Sequence, residues 1–305
     1  MIDYDKLKNW RSPPVRHTYT AKDVMLYALG VGMGQDPLDR DELRYVYERD
    51  LRVLPSMAAV LASPGFWVRD HPELGIDFVR LVHGEQTITL HQPLPVAATV
   101  IGETHVTRVV DKGEGKGALV YSEKRLTDEA TGALLATTGS VTFCRGDGGF
   151  SGRGGQGGGG DAPAPPLQAA PDTVPDVALE FVLRPEAAFI YRLSGDINPL
   201  HVDPDVAAKA GFPKPIMHGL GTYGVACRGL VKAFCEFDPA RFKSVSARFS
   251  APAYPGDTIV LECWRGGEGG EGGESDAGGS IAFRARVPAR AVTVLSHGHA
   301  RCDSK

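Results

Sequence analysis

Residues 219–234 read Gly219-Leu-Gly-Thr-Tyr-Gly-Val-Ala-Cys-Arg-Gly-Leu-Val-Lys-Ala-Phe234, an apolar run in which glycine and alanine recur. The run predicts a helix from Gly219 to Phe234, and its small residues allow close packing against a sheet. Strand-like runs follow it at Thr258-Ile-Val-Leu-Glu-Cys-Trp264 and Ser280-Ile-Ala-Phe-Arg-Ala-Arg-Val287. A helix followed by several strands indicates an antiparallel α+β fold with the sheet wrapped on the helix.

The first half of the chain has the same order of elements. A short helix is predicted from Ala21 to Ala28 and a longer apolar helix from about Leu54 to Ala62, and the second half likewise has a short helix from Pro185 to Leu193 before its long one. Strand-like runs then follow in the first half at Gln86 to Leu90, Ala98 to Gly102, Ala118 to Ser122 and Thr138 to Phe143. The shared order predicts a duplicated domain.

Matching segments in the two halves give the repeat its alignment. Tyr27-Ala-Leu29 lies 164 residues before Tyr191-Arg-Leu193, and Leu94-Pro95 lies 160 residues before Tyr254-Pro255. The length of 305 residues with 42% hydrophobic content also favours two domains.

Two glycine-rich tracts divide the chain. The tract from Gly146 to Gly160, continued by Asp161-Ala-Pro-Ala-Pro-Pro166, has too much glycine and proline to build a core and predicts a flexible linker. The tract from Gly266 to Gly279 predicts an expanded hairpin loop, because closure entropy grows slowly with loop length. We therefore expect a first repeat at 1–145, a linker at 146–172 and a second repeat at 173–305.

The composition excludes several classes of protein. A formal net charge of -4 and a pI near 6.1 give no basic surface for nucleic acid or an anionic membrane. The five cysteines have no C-x-x-C spacing, which indicates a reducing compartment and neither a disulfide framework nor a zinc knuckle. No apolar run approaches the ~18 residues needed to span a bilayer, and the N-terminus lacks a secretory apolar core, so we expect a soluble intracellular protein.

The run Tyr191-Arg-Leu-Ser-Gly-Asp-Ile-Asn-Pro-Leu-His201 contains a carboxylate, a carboxamide and an imidazole around a turn-forming Asn-Pro. Asp196 and a neutral His201 can both accept hydrogen bonds from one water molecule and take its proton as it attacks. Asn198 can hold the water or the loop. The alternative is a capping carboxylate, an ordinary turn and an exposed histidine.

Gly219, at the start of the predicted long helix, can present unpaired N–H groups to a ligand oxygen, where the helix dipole favours an anion. The alternative is that the glycines of this helix only permit close packing. His201, Asp203, Asp205 and His218 also suggest a metal site, which we disfavour because their spacing matches no compact ligand motif and Asp203-Pro204-Asp205 is typical of a capping turn.

The first half lacks these reactive groups. The repeat alignment places Gly32 opposite Asp196 and Pro37 opposite His201. This half is therefore free to become a binding wall, to which His83-Gly84 and a lysine-bearing turn around Lys112 can contribute. Taken alone, both features are also typical of ordinary surface.

Together these residues resemble a known family. Tyr191 to His201, with Ala210-Gly-Phe212 and Pro215-Ile-Met-His-Gly219, resembles the hydratase 2 motif of the MaoC-like (R)-specific 2-enoyl-CoA hydratases. The likeness extends over nearly the whole chain to the hydratase 2 of peroxisomal multifunctional enzyme type 2, through the segments Tyr27–Gly32, Arg52–Pro55, Val82–Gln86, Gln92–Pro95, Asp111–Gly113, Gly148–Phe150, Arg241–Lys243, Ala247–Phe249 and Tyr254–Gly256.

The resemblance implies a double hot-dog fold and reversible hydration of trans-2-enoyl-CoA to (R)-3-hydroxyacyl-CoA. It implies that Asp196 and His201 activate the water, that Asn198 supports them, and that the Gly219 amide binds the thioester oxygen. Residues implied to contact the acyl-CoA are His83, Gly84, Lys112, Ile197, Pro199, Leu200 and Phe249. No metal and no cofactor beyond the CoA of the substrate is implied.

The resemblance also implies a peroxisomal location, although the chain ends in Arg301-Cys-Asp-Ser-Lys305 without the terminal Ser-Lys-Leu of peroxisomal import, so that a cytoplasmic location is the alternative. A homodimer is possible. Two other functions stay open: a hot-dog thioesterase, and a non-catalytic acyl-CoA-binding module, which the water-activating residues argue against.

Overall fold

A computed structural model describes residues 1–152, 158–266 and 278–303 of the chain. Seven α-helices lie within these residues: α1 (Tyr4–Lys8), α2 (Ala21–Gly30), α3 (Arg40–Leu43), α4 (Trp67–Asp70), α5 (Ala187–Tyr191), α6 (Pro204–Lys209) and α7 (Gly219–Phe234). The ten strands in the same residues are β1 (Val15–Tyr19), β2 (Leu81–Leu90), β3 (Ala98–Asp111), β4 (Ala118–Asp128), β5 (Leu134–Cys144), β6 (Val177–Val182), β7 (Phe242–Phe249), β8 (Thr258–Arg265), β9 (Gly278–Val287) and β10 (Val292–Asp303).

The strands form one antiparallel sheet in the order β1-β3-β4-β5-β2-β7-β10-β9-β8-β6. Read from each edge towards the centre, the two repeats have the same strand order, because β6-β8-β9-β10-β7 corresponds to β1-β3-β4-β5-β2. The two repeats join where β2 pairs with β7, between Glu85↔Arg248 and Thr89↔Ser244. The predicted duplication and the antiparallel α+β class are thus confirmed.

The long helix α7 has the predicted bounds and lies in the core. A methyl group at Gly224 would stand 2.5 Å from Val31, and one at Gly229 would stand 2.5 Å from Leu261 and 2.9 Å from Phe181. These two glycines therefore let the first repeat and the sheet approach the helix. The packing interpretation is right for them.

The long helix predicted from about Leu54 to Ala62 is wrong. This segment forms only a 3-10 helix at Pro55–Ala59, and Ala62 takes a positive φ of 47°. The backbone oxygens of Ala58, Ala59 and Leu61 accept hydrogen bonds from the buried ammonium of Lys124. The Ala62 N–H, which a helix would donate to the Ala58 oxygen, donates instead to His17 Nδ1 at 3.0 Å, while Lys124 from β4 takes the Ala58 oxygen.

The glycine-rich linker contacts the sheet at several of its described residues. Phe150 is fully buried, and the Asp161 carboxylate accepts from Lys8 Nζ at 2.7 Å and from the Val109 N–H at 2.8 Å. Further along, His299 Nε2 donates to the Gln168 oxygen at 3.0 Å. The predicted linker is thus in contact with the rest of the protein at Phe150, Asp161 and Gln168, and residues 153–157 lie outside the described residues.

The second tract lies between two paired strands, as a hairpin requires. β8 and β9 pair from Val260↔Arg286 to Arg265↔Ile281, and the predicted loop itself, at 267–277, is outside the described residues, as are the last two residues of the tail. Among the helices that the structure describes, none is long and apolar enough to cross a membrane.

Candidate active site

The loop that carries Asp196 is shaped by its own polar side chains. A 3-10 turn at Arg192–Ser194 ends at Gly195, whose φ of 125° is strained for any residue with a side chain. Asp196 Oδ1 then accepts the Asn198 N–H at 3.1 Å, and Asn198 Oδ1 accepts the Leu200 N–H at 3.0 Å, which starts a 3-10 turn at Pro199–His201. Asn198 therefore holds the loop, one of the two roles expected for it.

Asp196 and His201 face each other across the loop. His201 Nε2 lies 4.0 Å from Asp196 Oδ2, and the imidazole is 9% exposed while the carboxylate is 47% exposed. His201 Nδ1 lies 2.9 Å from the Ile216 oxygen, and because a carbonyl only accepts, Nδ1 carries the proton and Nε2 presents a lone pair. The separation is too long for a direct hydrogen bond and lets one water contact both atoms.

Burial lowers the pKa of His201 below its ordinary value of 6.5, although the Ile216 carbonyl and the Asp196 charge oppose this. The imidazole is therefore neutral at pH 7. A neutral imidazole thus lies beside a partly exposed carboxylate, the arrangement that the predicted water-activating pair requires.

The N-terminus of α7 lies beside this pair. His218 precedes Gly219, and His218 Nε2 donates to the backbone oxygen of Asp196 at 3.1 Å. The first N–H groups of the helix have no acceptor within it and carry the positive end of the helix dipole. The loop and a potential oxyanion site are thus joined by one hydrogen bond.

The first repeat reaches the same place through β2. The rings of His83 and Phe249 lie 4.6 Å apart, and a methyl group at Gly219 would touch the Phe249 ring at 3.4 Å. Burial lowers the pKa of His83 to about 4, and the negative charge of Asp196 partly opposes the shift. His83, Phe249 and the start of α7 therefore form one wall beside Asp196.

Gly84 lies at a β-bulge in β2. The register against β5 shifts between His83↔Thr142 and Glu85↔Val141, and a methyl group at Gly84 would stand 3.1 Å from the Val141 oxygen. Such a bulge turns the neighbouring His83 side chain.

The other residues expected to contact substrate lie around the rim. Lys112 is exposed in the β3–β4 turn, with its ammonium 4.9 Å from the Phe143 ring, and Phe143 pairs with Val82 next to His83. Ile197 is 71% exposed, Pro199 is exposed and Leu200 is half-buried. Ile197, Pro199 and Leu200 belong to the loop that carries Asp196 and His201, whereas Lys112 lies on the β3–β4 turn of the first repeat.

The candidate metal ligands in the structure differ from those suggested by the sequence. Asp203 caps α6 by accepting the N–H groups of Asp205 and Val206 at 2.9 and 3.3 Å, as expected of a capping turn. Among the described residues, the group that can offer ligand atoms within 4.8 Å of one another is Asp196, His201 and His218.

Ring geometry argues against a metal held by this group. The rings of His201 and His218 stack face to face, 3.7 Å between centroids and 27° between planes. Imidazole binds a metal in its own plane at about 2.0–2.1 Å, so two nearly parallel rings do not converge on one ion.

The segment around Gly32 in the first repeat, which corresponds to the Asp196 loop, makes different contacts. A methyl group at Gly32 would stand 2.8 Å from Arg228 Nη1. Arg228 comes from α7 and pairs with the buried Glu42, whose Oε1 accepts Nη2 at 2.6 Å and whose Oε2 accepts the Gly34 N–H at 2.9 Å. Where the second repeat has the loop of Asp196 and His201, the first has a loop tied to α7 by a buried ion pair.

Sequence reasoning missed two roles. His218 was considered only as a metal ligand, and Arg228 only as part of an apolar run. The His-Gly pair before a long apolar helix was the available signal for His218. Nothing local indicated that Arg228 would find Glu42, which lies 186 residues away in sequence.

Comparisons with known proteins agree with this fold. Residues 17–146 match the family described as MFE-2 hydratase 2 N-terminal domain, and residues 166–278 match the MaoC like domain. The chain is 38% identical to enoyl-CoA hydratase 2, peroxisomal, of Arabidopsis thaliana, over 85% of this chain and 86% of that protein. It is 40% identical to 3-hydroxyacyl-thioester dehydratase Y of Mycobacterium tuberculosis, over 90% of this chain and 91% of that one.

Among solved structures, a MaoC-like dehydratase from Phytophthora capsici superposes with a TM-score of 0.80 at 33% identity, covering 99% of both chains. Each half of the chain therefore matches a domain family, and the relatives are covered over most of their length. The protein belongs to the enoyl-CoA hydratase 2 family of MaoC-like double hot-dog proteins.

Proposed function

We propose that this protein catalyses the reversible hydration of trans-2-enoyl-CoA to (R)-3-hydroxyacyl-CoA in fatty acid β-oxidation or related acyl-CoA metabolism. The observation that carries the proposal is the pair of His201 Nε2 and Asp196 Oδ2, 4.0 Å apart and beside the start of α7. Relatives named as a hydratase and as a 3-hydroxyacyl-thioester dehydratase support the two directions of one reaction.

Water is held between the two side chains. The neutral His201 accepts one hydrogen bond of the water at Nε2, and the Asp196 carboxylate accepts the other. The pair removes a proton as the water oxygen bonds to C3 of the enoyl group, and C2 gains a proton. General acid–base catalysis of this kind contributes about 10²–10⁴-fold to the rate.

The thioester oxygen gains negative charge as water adds. We place this oxygen at the Gly219 N–H, where the first turn of α7 offers unpaired donors and the helix dipole lowers the energy of an anion. Gly219 has no side chain to shield its N–H, and the Phe249 ring lies beside it.

The first repeat binds the rest of the substrate in this proposal. His83 and Phe249 line the approach to the thioester, and Lys112 at the rim is available to a phosphate of CoA. The proposed reaction needs no metal or further cofactor, which is consistent with the stacking of His201 on His218. Activity that persists after dialysis against EDTA is the expected result.

The deciding experiment follows a medium-chain trans-2-enoyl-CoA with the purified protein. Hydration predicts loss of enoyl absorbance without release of free thiol, and a 3-hydroxyacyl product of (R) configuration by chiral analysis. Thiol release in step with substrate loss would indicate a thioesterase, and saturable binding without turnover would indicate a binding module. An (S) product would contradict the assignment.

Two further properties belong to the proposal. The name of the Arabidopsis relative supports a peroxisomal location, which imaging of a fluorescent fusion protein tests against a cytoplasmic one. A homodimer is tested by light scattering of the purified protein.

A further inference from the structure

His218 lies at the junction of the parts that make up the site. It is 1% exposed, it immediately precedes Gly219, and it stands one residue before the first turn of α7. Its ring stacks on His201 at 3.7 Å and meets the buried Tyr191 ring at 4.9 Å. A side chain in this position can influence both the acid–base pair and the oxyanion site without touching substrate.

The hydrogen bond of His218 determines its protonation. Its acceptor is the backbone oxygen of Asp196, so Nε2 must carry a proton. Nδ1 is buried and has no partner among the described residues. A second proton on Nδ1 would therefore be a buried donor without an acceptor, which is costly, and the ring stays neutral. Burial and the neighbouring His201 accordingly lower the pKa of His218 to about 4.

The neutral state of His218 matters because its ring stacks on His201. When His201 takes a proton, it becomes a cation stacked against His218. A charged His218 would oppose that step by like-charge repulsion, whereas a neutral ring does not.

We propose that His218 is a positioning residue for the reaction: as a neutral Nε2–H donor it fastens the Asp196 backbone to the start of α7, and so sets the distance between the water-activating pair and the Gly219 N–H. This inference rests on the proposed hydration at the same site. The hydrogen bond carries the role, and the stacked ring accompanies it.

Two substitutions separate the hydrogen bond from the ring. His218→Phe keeps an aromatic ring beside His201 and loses the donor, while His218→Gln loses the ring and keeps an amide N–H near the position of Nε2. We expect His218→Phe to lower kcat by about 10–100-fold with KM changed less than about threefold, since misplacement of catalytic groups by about 1 Å costs up to that much. His218→Gln should recover at least tenfold of that loss.

His299→Phe is the matched control. His299 Nε2 also donates to a backbone oxygen, that of Gln168 at 3.0 Å, but on the docked linker. It should leave kcat at the parent value. If His218→Phe keeps the parent kcat, or if His218→Gln is as impaired as His218→Phe, the inference is wrong.

An experiment on the parent protein separates this inference from the proposed function and from folding of the variants. Imidazole ¹⁵N NMR at pH 7 should show His218 as the neutral Nε2–H tautomer. A cationic or Nδ1–H pattern would overturn the inference even if the enzyme hydrates enoyl-CoA. Absence of hydratase activity in the parent would instead overturn the proposed function. The NMR spectrum would still report the tautomer of His218 in that case.

Discussion

The rings of Tyr27 and Tyr191 meet at 5.9 Å between centroids, tilted by 54°. The two tyrosines occupy equivalent positions in the two repeats, 164 residues apart, so the repeats pack against each other through a pair of matching residues. Tyr191 also faces His218 and leads into the loop of Asp196 and His201, whereas Tyr27 leads to Gly32 and the loop tied to α7 by Arg228. A nearly symmetric core therefore supports two different loops.

Asp196→Asn should reduce kcat by about 10²–10⁴-fold and leave the affinity for acyl-CoA nearly unchanged. The amide keeps the shape of the side chain and an acceptor for the Asn198 N–H, but it cannot take a proton. Steady-state kinetics with crotonyl-CoA or decenoyl-CoA, and product binding by calorimetry, measure the two quantities. Turnover at the parent rate would show that Asp196 does not have the assigned role.

Stability should fall as the pH decreases from about 6.5 towards 5. Burial lowers the pKa of His83 and of His218 to about 4, so in this window the unfolded chain binds more protons than the folded one. Each buried histidine should remove roughly 1–2 kcal/mol of the free energy of unfolding at pH 5. Urea denaturation at pH 7 and pH 5 tests this, and His83→Gln should show a weaker dependence than the parent. A free energy of unfolding that is equal at both pH values would contradict the burial of these rings.

Arg228→Met should lower the free energy of unfolding by about 3–5 kcal/mol, because it leaves the carboxylate of Glu42 buried without its guanidinium. Changing Glu42 to Met as well should restore part of the loss, since the uncompensated charge is then removed. Arg16→Met is the control: its ion pair with Glu129 has side chains 62% and 39% exposed, and its loss should cost less than about 1 kcal/mol. Equal losses of stability in Arg228→Met and Arg16→Met would mean that the buried ion pair does not hold the two repeats together more strongly than an exposed pair would.

Gly229→Ala should destabilise the protein by about 1–3 kcal/mol through overpacking. The added methyl group would stand 2.5 Å from Leu261 in β8 and 2.9 Å from Phe181 in β6. Gly219→Ala makes only a 3.4 Å contact with Phe249 and should change stability by less than about 1 kcal/mol. Thermal or urea unfolding compares the two variants. A Gly229→Ala protein as stable as the parent would show that the helix is not tightly packed against Leu261 and Phe181.

Local pattern was sufficient for much of the fold. The bounds of α7 follow from an uninterrupted apolar run, and β2, β3, β4, β5, β8 and β9 follow from β-branched and aromatic residues between turn signals. The edge strands β1 and β6, which are short and half-exposed, and the central strands β7 and β10 were not among the runs named. The helix predicted at Leu54 to Ala62 is wrong for a non-local reason, since the Ala58 oxygen and the Ala62 N–H, which would pair in that helix, bond instead to Lys124 on β4 and His17 on β1.

The sequence by itself determined the reactive groups and their local arrangement. Asp196, Asn198 and His201 lie within one turn-forming loop, and short-range hydrogen bonds of Asp196 and Asn198 shape that loop. Only the tertiary structure decided which groups surround it: His83 from β2 and Phe249 from β7 meet because those strands pair across the repeat boundary, and His218 reaches Asp196 because α7 packs beneath the loop. These contacts depend on the burial of the whole core, which no local run of residues specifies.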